Sequence, residues 1–440
     1  MTKTIADLSP EQRFIVDAVR LAFGRPLPDA GGLPYRPSLD WDSLLAQVSK
    51  QGLAPLVYSG LKRSRVTVPV EVQSRLRMGF LGAVLRLESG LNPTLRLILQ
   101  QLELAGVKPI VLKGAALAHT VYPEPAFRTM SDVDLLVAED EIDRAREALD
   151  GLDSVAVGGV EKDHHHLNPR LVKDRAVWVE IHHHLIPEEN PYALNLRDVR
   201  DRSLAADLAG VKARVLAPTD SLHFVCLHLS YGHRYGWHPL RSLIDILAMT
   251  SAGEPTLDWD LFLRTTRQSR TAGAVYWPLL LASEWLGAPV PESVLSSLAP
   301  VAAVRSLVSA AMDPRYLLED QTPEERGNEV LYNVLLSLSL VTGCPAGRQV
   351  AATLRAVFPT PKGVGHLPPE VTGSRWRFGA YLARPDRAVR GILAFVRLLK
   401  RSQGRVHEQI APSPKEYVVM PAKAGIQRTQ PEPGFPPARE

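Results

Sequence analysis

The chain has 440 residues, with 51 Lys and Arg against 47 Asp and Glu for a net charge of +4, and it is 45% hydrophobic and 22% charged. That balance excludes a wholly disordered chain and carries no cationic excess that would make nucleic acid the main partner. Two cysteines, Cys226 and Cys344, exclude a disulfide scaffold, fit a reducing cytosol and, without CxxC spacing, exclude a thiolate zinc site.

The N-terminus has no apolar core of the kind a secretory signal needs, so a cytoplasmic protein is expected. Ser9-Pro10-Glu11 is a helix start with proline in the first turn. A Gly/Pro-rich linker covers Gly24 to Pro37, and a second helical pattern begins at Asp42. Between 70 and 105, Val72, Leu76, Phe80, Val84, Leu87, Leu91, Leu95, Ile98 and Leu102 form an apolar helix stripe, with a break expected at Pro93. These residues make 1–105 a helical region.

The period changes at Gly106. Val107 to Leu112 is a short β-branched run, 115–121 reads as a short helix, and 132–137 (DVDLLV) alternates with period two. A helix at 139–150 and strands at 164–168 and 176–183 follow. This order predicts an α/β core within 106–217, its strands forming a small mixed sheet with helices. From 218 to 404 the pattern is helical, with segments at 257–268, 272–287, 299–312, 324–340, 347–357 and 386–402. The stretch 330–347 is uncharged but broken by Asn, Ser, Gly and Pro, so it reads as a core helix and no transmembrane segment is expected. Residues 405–440 form a tail expected to be disordered, with seven prolines after Ala411. The fold class is α+β, a small sheet embedded in a mainly helical chain.

The chemistry concentrates in Lys113-Gly114, Arg128 and the strand Ser131-Asp-Val-Asp-Leu-Leu-Val. On a strand, Asp132 and Asp134 project from one face while Val133 and Leu135 point into the core. Adjacent carboxylates repel, and a divalent cation relieves the repulsion. Glu180 lies mid-strand between Val179 and Ile181, where a buried charge needs a partner. With the two strands side by side, Asp132, Asp134 and Glu180 share a face able to hold two Mg²⁺ or Mn²⁺ ions. The competing reading makes Glu180 a structural carboxylate paired with an arginine such as Arg175.

A strand, a glycine turn and a helix, then D-x-D on a strand and h-E-h on a later one, resemble the polymerase-β-type nucleotidyltransferase superfamily. Within it, LKG…Arg128…SDVDLLV…VEIH followed by a helical half resembles bacterial uncharacterised nucleotidyltransferases over roughly 40 to 400. The resemblance implies transfer of NMP from an NTP, with Gly114 holding phosphates, Asp132 and Asp134 binding both metals and Glu180 activating the acceptor hydroxyl. Most of the superfamily has Gly-Ser at the turn, whereas this chain has Lys113-Gly114-Ala115, so Lys113 is expected to supply a point charge to phosphate. Arg128 joins the nucleotide-binding set with it.

Period two puts His182 and His184 on the face of Glu180, and His182 is expected to bind phosphate or assist proton transfer. His164–His166 has the weaker claim to a site role. In the helical half, His233 and Arg241 are candidates for the triphosphate, against the alternative that Arg241 pairs with Asp245 four residues on. The segment 375–405 carries nine basic residues and one acid, Asp386, and reads as a solvated basic face or a weak polyanion contact. Two functions stand: a metal-dependent nucleotidyltransferase with an unidentified acceptor, and a non-catalytic nucleotide- or protein-binding module on the same fold.

Overall fold

The computed structural model describes residues 8–308 apart from 28–38, 65, 153, 157–165, 168, 173–175, 188–189, 234, 236–237, 254–256, 303 and 306–307. The helices expected at 324–340, 347–357 and 386–402, the basic segment 375–405, Cys344, Arg175, His164 and His165, and the tail 405–440 lie outside the described residues.

Helix α1 (Pro10–Ala22) starts where expected. The Ser9 side chain accepts from the Gln12 N–H, and Gln12 Oε1 accepts from the Ser9 N–H, satisfying two end groups reciprocally. Helices α2 (Trp41–Lys50) and α3 (Ala54–Ser64) follow, and α3 lies directly on α1. Gly60 permits that approach, since a Cβ there would sit 2.0 Å from the Ala18 carbonyl oxygen.

Helix α4 (Val70–Arg86) does not end at Pro93. A five-residue π turn at Leu87–Leu91, in which the Asn92 N–H bonds the Leu87 carbonyl, joins it to α5 (Asn92–Leu104). Proline lacks an N–H and its ring crowds the carbonyl four residues back, and the widened turn relieves both without stopping the helix.

The sheet has seven strands: β1 (Ile110–Val111), β2 (Asp132–Leu136), β3 (Ser154–Ala156), β4 (Arg170–Val172), β5 (Val177–His182), β6 (Leu204–Leu208) and β7 (Val211–Val215). Their order is β3-β4-β5-β2-β1-β7-β6. It is mixed: β2 runs parallel to β5 and β1 parallel to β7, while the other pairs are antiparallel. The α+β class is thus as expected. Several details differ, and β3 and β4 were not among the expected strands. β1 spans only two of the six residues expected. At 164–168 the described residues give a single bridge, His166 to His182. The β6–β7 hairpin, which β7 adds to the sheet beside β1, has no counterpart in the sequence reading. Its turn at Ala209-Gly210 has both residues at positive φ, 56° and 83°, the pattern of a two-residue hairpin turn.

Alternation divides the sheet into two faces. Val111, Val133, Leu135, Val179 and Ile181 pack with Ile98, Leu102 and, from α7 (Ile142–Asp150), Ala145 and Leu149. The opposite face carries Ile110, Leu112 and Leu136 against Leu185, Val199 of α8 (Leu196–Arg202), Leu216 and Phe224 of α9 (Pro218–Leu227). That second face also bears the acids. Helices α10 (Pro239–Ser251), α11 (Trp259–Ser269), α12 (Ala272–Leu286) and α13 (Glu292–Leu298) share one apolar cluster with α1–α4, so the two ends of the described chain build a common core.

Two stability predictions follow from this packing. Gly60→Ala should lower stability by about 1–3 kcal/mol, read from the denaturant midpoint, because the clash is with rigid backbone. His223 is buried, bonds Thr271 Oγ1 at 2.7 Å, and is pushed by burial, with Arg202 adding, from the ordinary 6.5 down to about 4. The unfolded chain therefore binds a proton between pH 6.5 and 4 that the folded one refuses, and stability falls as pH drops through that window. His223→Gln should flatten that share of the slope in a pH series of unfolding curves.

Candidate active site

Strands β2 and β5 are paired in register with Asp134 opposite Glu180 and Asp132 opposite Trp178. The even positions of both strands face the same way, so Asp132, Asp134, Glu180 and His182 lie on one face, as the alternation predicts. Val133 and Leu135 are buried on the other. Potential ligand atoms of Asp134, Glu180 and His182 lie within 4.8 Å of one another. Asp132 stands outside that trio; burial, with Asp134 adding, pushes its carboxyl upward.

Helix α6 (Lys113–Thr120) begins at the lysine itself. Lys113 takes φ +41°, a left-handed conformation unusual for a side-chain-bearing residue. Gly114 is not in that region; its smallness serves a close approach instead, a Cβ there meeting Met130 Sδ at 3.2 Å. The expected glycine turn is thus a strained lysine followed by a glycine that needs space. Lys113 Nζ reaches Asp134 Oδ1 at 3.1 Å and His228 Nε2 at 3.0 Å, and lies 6.0 Å from the Phe224 ring centroid. Burial alone would depress its pKa, but Asp134, Asp132 and Glu180 reverse that and raise it.

His182 Nε2 lies 3.0 Å from Asp134 Oδ1 and 3.5 Å from Glu180 Oε2. Burial opposes its charging, yet the two acids raise its pKa. Burial likewise works against ionised Asp134, but Lys113 and His182 hold it well below the usual carboxylate range. The site is a buried anion, Asp134, clasped by a lysine and a histidine, with Glu180 25% exposed at its edge. Two carboxylates and an imidazole so close together are a donor set that fits a divalent cation.

Arg128, expected among the nucleotide-binding residues, is engaged within the chain. Its guanidinium grips Asp245 in a fork, Nε to Oδ1 at 2.7 Å and Nη2 to Oδ2 at 3.0 Å, and Nη1 donates to the Thr129 carbonyl at 2.8 Å. Tyr122 donates to the same Asp245 Oδ1 at 2.6 Å. Asp245 is therefore taken by Arg128, and in place of the alternative Arg241–Asp245 pair Arg241 Nη2 donates to the Gln51 carbonyl at 3.1 Å. Burial, with Arg128 next, lowers the Arg241 pKa.

His233 packs its ring edge-on to His228, centroids 4.2 Å apart, and burial, with Lys113 adding, pushes it down to about 4. His166 packs beside His182 with centroids 5.3 Å apart, and its Nδ1 is 2.8 Å from the Leu167 carbonyl. His184 stands past the end of β5, its Nδ1 3.5 Å from the Ile186 N–H. The residue that sequence reasoning missed is His228, which shares Lys113 with Asp134. Its sequence signal was the dense polar and aromatic run it opens; spacing alone did not single it out.

The Arg128–Asp245 pair is buried, with side chains 11% and 3% exposed. Asp245→Ala should cost about 3–5 kcal/mol, read as a lower unfolding midpoint, because it strands a buried guanidinium and a buried hydroxyl.

The comparisons with known proteins bear on this geometry. Searches of curated proteins and of solved structures found no match. The sequence pattern that defines a family of uncharacterised nucleotidyltransferases matches residues 37–287, more than half of the chain and all of the site just described. No helix among the described residues is long and apolar enough to cross a membrane. The chain belongs to the uncharacterised nucleotidyltransferase family.

Proposed function

We propose that the chain transfers a nucleoside monophosphate from an NTP to a hydroxyl or phosphate acceptor, on a polymerase-β-like arrangement of acids. The observation that carries this reading is the cross-strand pairing of Asp134 with Glu180 beside the buried ammonium of Lys113. Asp134, Glu180 and His182 would hold one divalent cation, and a second would draw on Asp132 with Asp134. When bound, such cations neutralise charge on the phosphates and on the leaving pyrophosphate.

The chain's own residues do the rest. Lys113 presents a fixed positive charge to the phosphates from the start of α6. Glu180, the more exposed acid, takes the proton of an acceptor hydroxyl as its oxygen bonds the α-phosphorus. The bond from that phosphorus to the β-phosphate oxygen breaks, and pyrophosphate leaves. Phosphoryl transfer asks for positioning and charge neutralisation above all. Arg128, from the loop before β2, supports the site by fixing Asp245, and Arg241 and His233 support it from the helical half.

The direct test is incubation of the purified protein with each NTP, Mg²⁺ or Mn²⁺ and a metabolite extract, following nucleotide incorporation by mass and pyrophosphate release. One observation favours the alternative of a non-catalytic module: Asp134 is already balanced inside the chain by Lys113 and His182. Nucleotide binding without incorporation or pyrophosphate release across all combinations would select that module.

Glu180→Gln should keep NTP affinity and lower turnover about 10²-fold or more, the scale of a positioned general base. Normal turnover with a lower melting temperature would remove Glu180 from the catalytic set. Asp134→Asn should weaken Mn²⁺ binding measured by calorimetry.

A further inference from the structure

Three groups near the Lys113 ammonium among the described residues are not equivalent. Asp134 Oδ1 lies 3.1 Å away, His228 Nε2 3.0 Å away, and the Phe224 ring centroid 6.0 Å away. On the reading proposed above, a cation on Asp134 competes with the ammonium for that carboxylate and repels it. His228 is then the hydrogen-bond partner that keeps Lys113 in place. We propose that His228 is a positioning residue for the triphosphate: it holds the Lys113 ammonium over the acid face and so determines where the phosphates dock. The inference rests on the nucleotidyltransferase reading and extends it to a residue of the helical half.

The chemistry of the contact specifies the imidazole. An ammonium has only protons to give, so His228 Nε2 must accept, and the ring is neutral with its proton on Nδ1. The ring is set from two sides, by Phe224 with centroids 5.7 Å apart and by His233 at 4.2 Å, both near edge-on.

The backbone also contributes. Helix α9 opens into a π turn at His228–Gly232, closed by the His233 N–H on the His228 carbonyl at 2.8 Å. Such turns hold one residue more than the α-helix and are frequent at functional sites. Here the turn starts at the residue that meets Lys113, 115 positions away along the chain. Lys113 itself is held in a left-handed conformation at the start of α6. Strained backbone on one side and a widened turn on the other bring the two polar groups together.

The experiment uses the full chain and four variants: Lys113→Ala, His228→Leu, His228→Gln and the Lys113→Ala/His228→Leu double variant. Each is titrated by calorimetry with each of the four NTPs and with inorganic tripolyphosphate, in Mg²⁺, alongside its melting temperature. Tripolyphosphate has no base, so it reads the phosphate contacts alone. Expected is a loss of about tenfold or more in affinity for NTP and tripolyphosphate alike in His228→Leu, the scale of a charge-assisted hydrogen bond. His228→Gln, whose amide oxygen can accept in the same direction, should recover most of that loss. In the Lys113→Ala background His228→Leu should have no further effect, since it acts through the lysine. Nitrogen NMR should show His228 with its proton on Nδ1.

Wild-type affinity in His228→Leu, an equal loss with and without Lys113, or a proton on Nε2 would each overturn the inference and leave the nucleotide reading intact. A wild-type protein that binds none of the four NTPs overturns the nucleotide reading and the inference with it. A fall in melting temperature with unchanged affinity assigns His228 a structural role and also overturns it.

Discussion

Two carboxylates placed side by side on neighbouring parallel strands, with one of them buried, set the terms for this molecule. At about 4 Å and an effective dielectric near 20, two like charges repel by about 4 kcal/mol, comparable with much of a domain's net stability. Asp134 and Glu180 are cross-strand partners, so the fold must supply cations against them. It supplies Lys113 from the start of α6 and His182 from β5. Both are buried, and the acids raise their pKa values against the effect of burial. The sheet register, the strained backbone at Lys113 and the position of α9 all serve this one neutralised cluster.

The helices are tied to that cluster by polar anchors at close spacing. Arg128 and Tyr122, from the segment between α6 and β2, meet at Asp245 of α10. Thr129, next to Arg128, donates to the Gly52 carbonyl at 3.0 Å, and Arg241 reaches the adjacent Gln51 carbonyl. The short loop that feeds β2 is therefore clamped between the α2–α3 turn and α10. A strand whose first residue is Asp132 cannot shift along its neighbour without breaking those contacts. Arg128, expected among the nucleotide-binding residues, is one of the contacts that hold this loop.

The acid face was legible in the sequence because strand alternation is strict. D-x-D and h-E-h are enough to put Asp132, Asp134, Glu180 and His182 on one side of a sheet. Three-dimensional partnership was not legible in the same way. Arg241 and Asp245 are four apart on a helix and invited pairing, but the guanidinium of a residue 117 positions distant from Asp245 took the carboxylate. The β6–β7 hairpin lies at the sheet edge, where of its strand residues only Leu208 and Val215 are buried; Val211, Ala213 and Val215 do alternate with Lys212 and Arg214, but over a run of only five residues that carries little apolar bulk. Ala209-Gly210 is also a weak turn signal compared with Asn-Gly. His228 was within a run that drew attention, yet its partner comes from another part of the fold, which no local spacing encodes.

The π turn at Leu87–Leu91 makes one continuous rod serve two masters. Val72 and Leu76, before it, belong to the core shared by the terminal helices, whereas Leu95, Ile98 and Leu102, after it, belong to the core beneath the sheet. Each residue of an α-helix turns the chain by about 100°, and the π turn absorbs its extra residue without turning one half against the other. Excising a single residue there would restore a regular helix and leave both stripes facing their cores, whereas a deletion elsewhere in the rod would rotate one of them by about 100°. The rod is thus a shaft with one spare tooth: at this point its length can shorten by one residue without turning either stripe off its core.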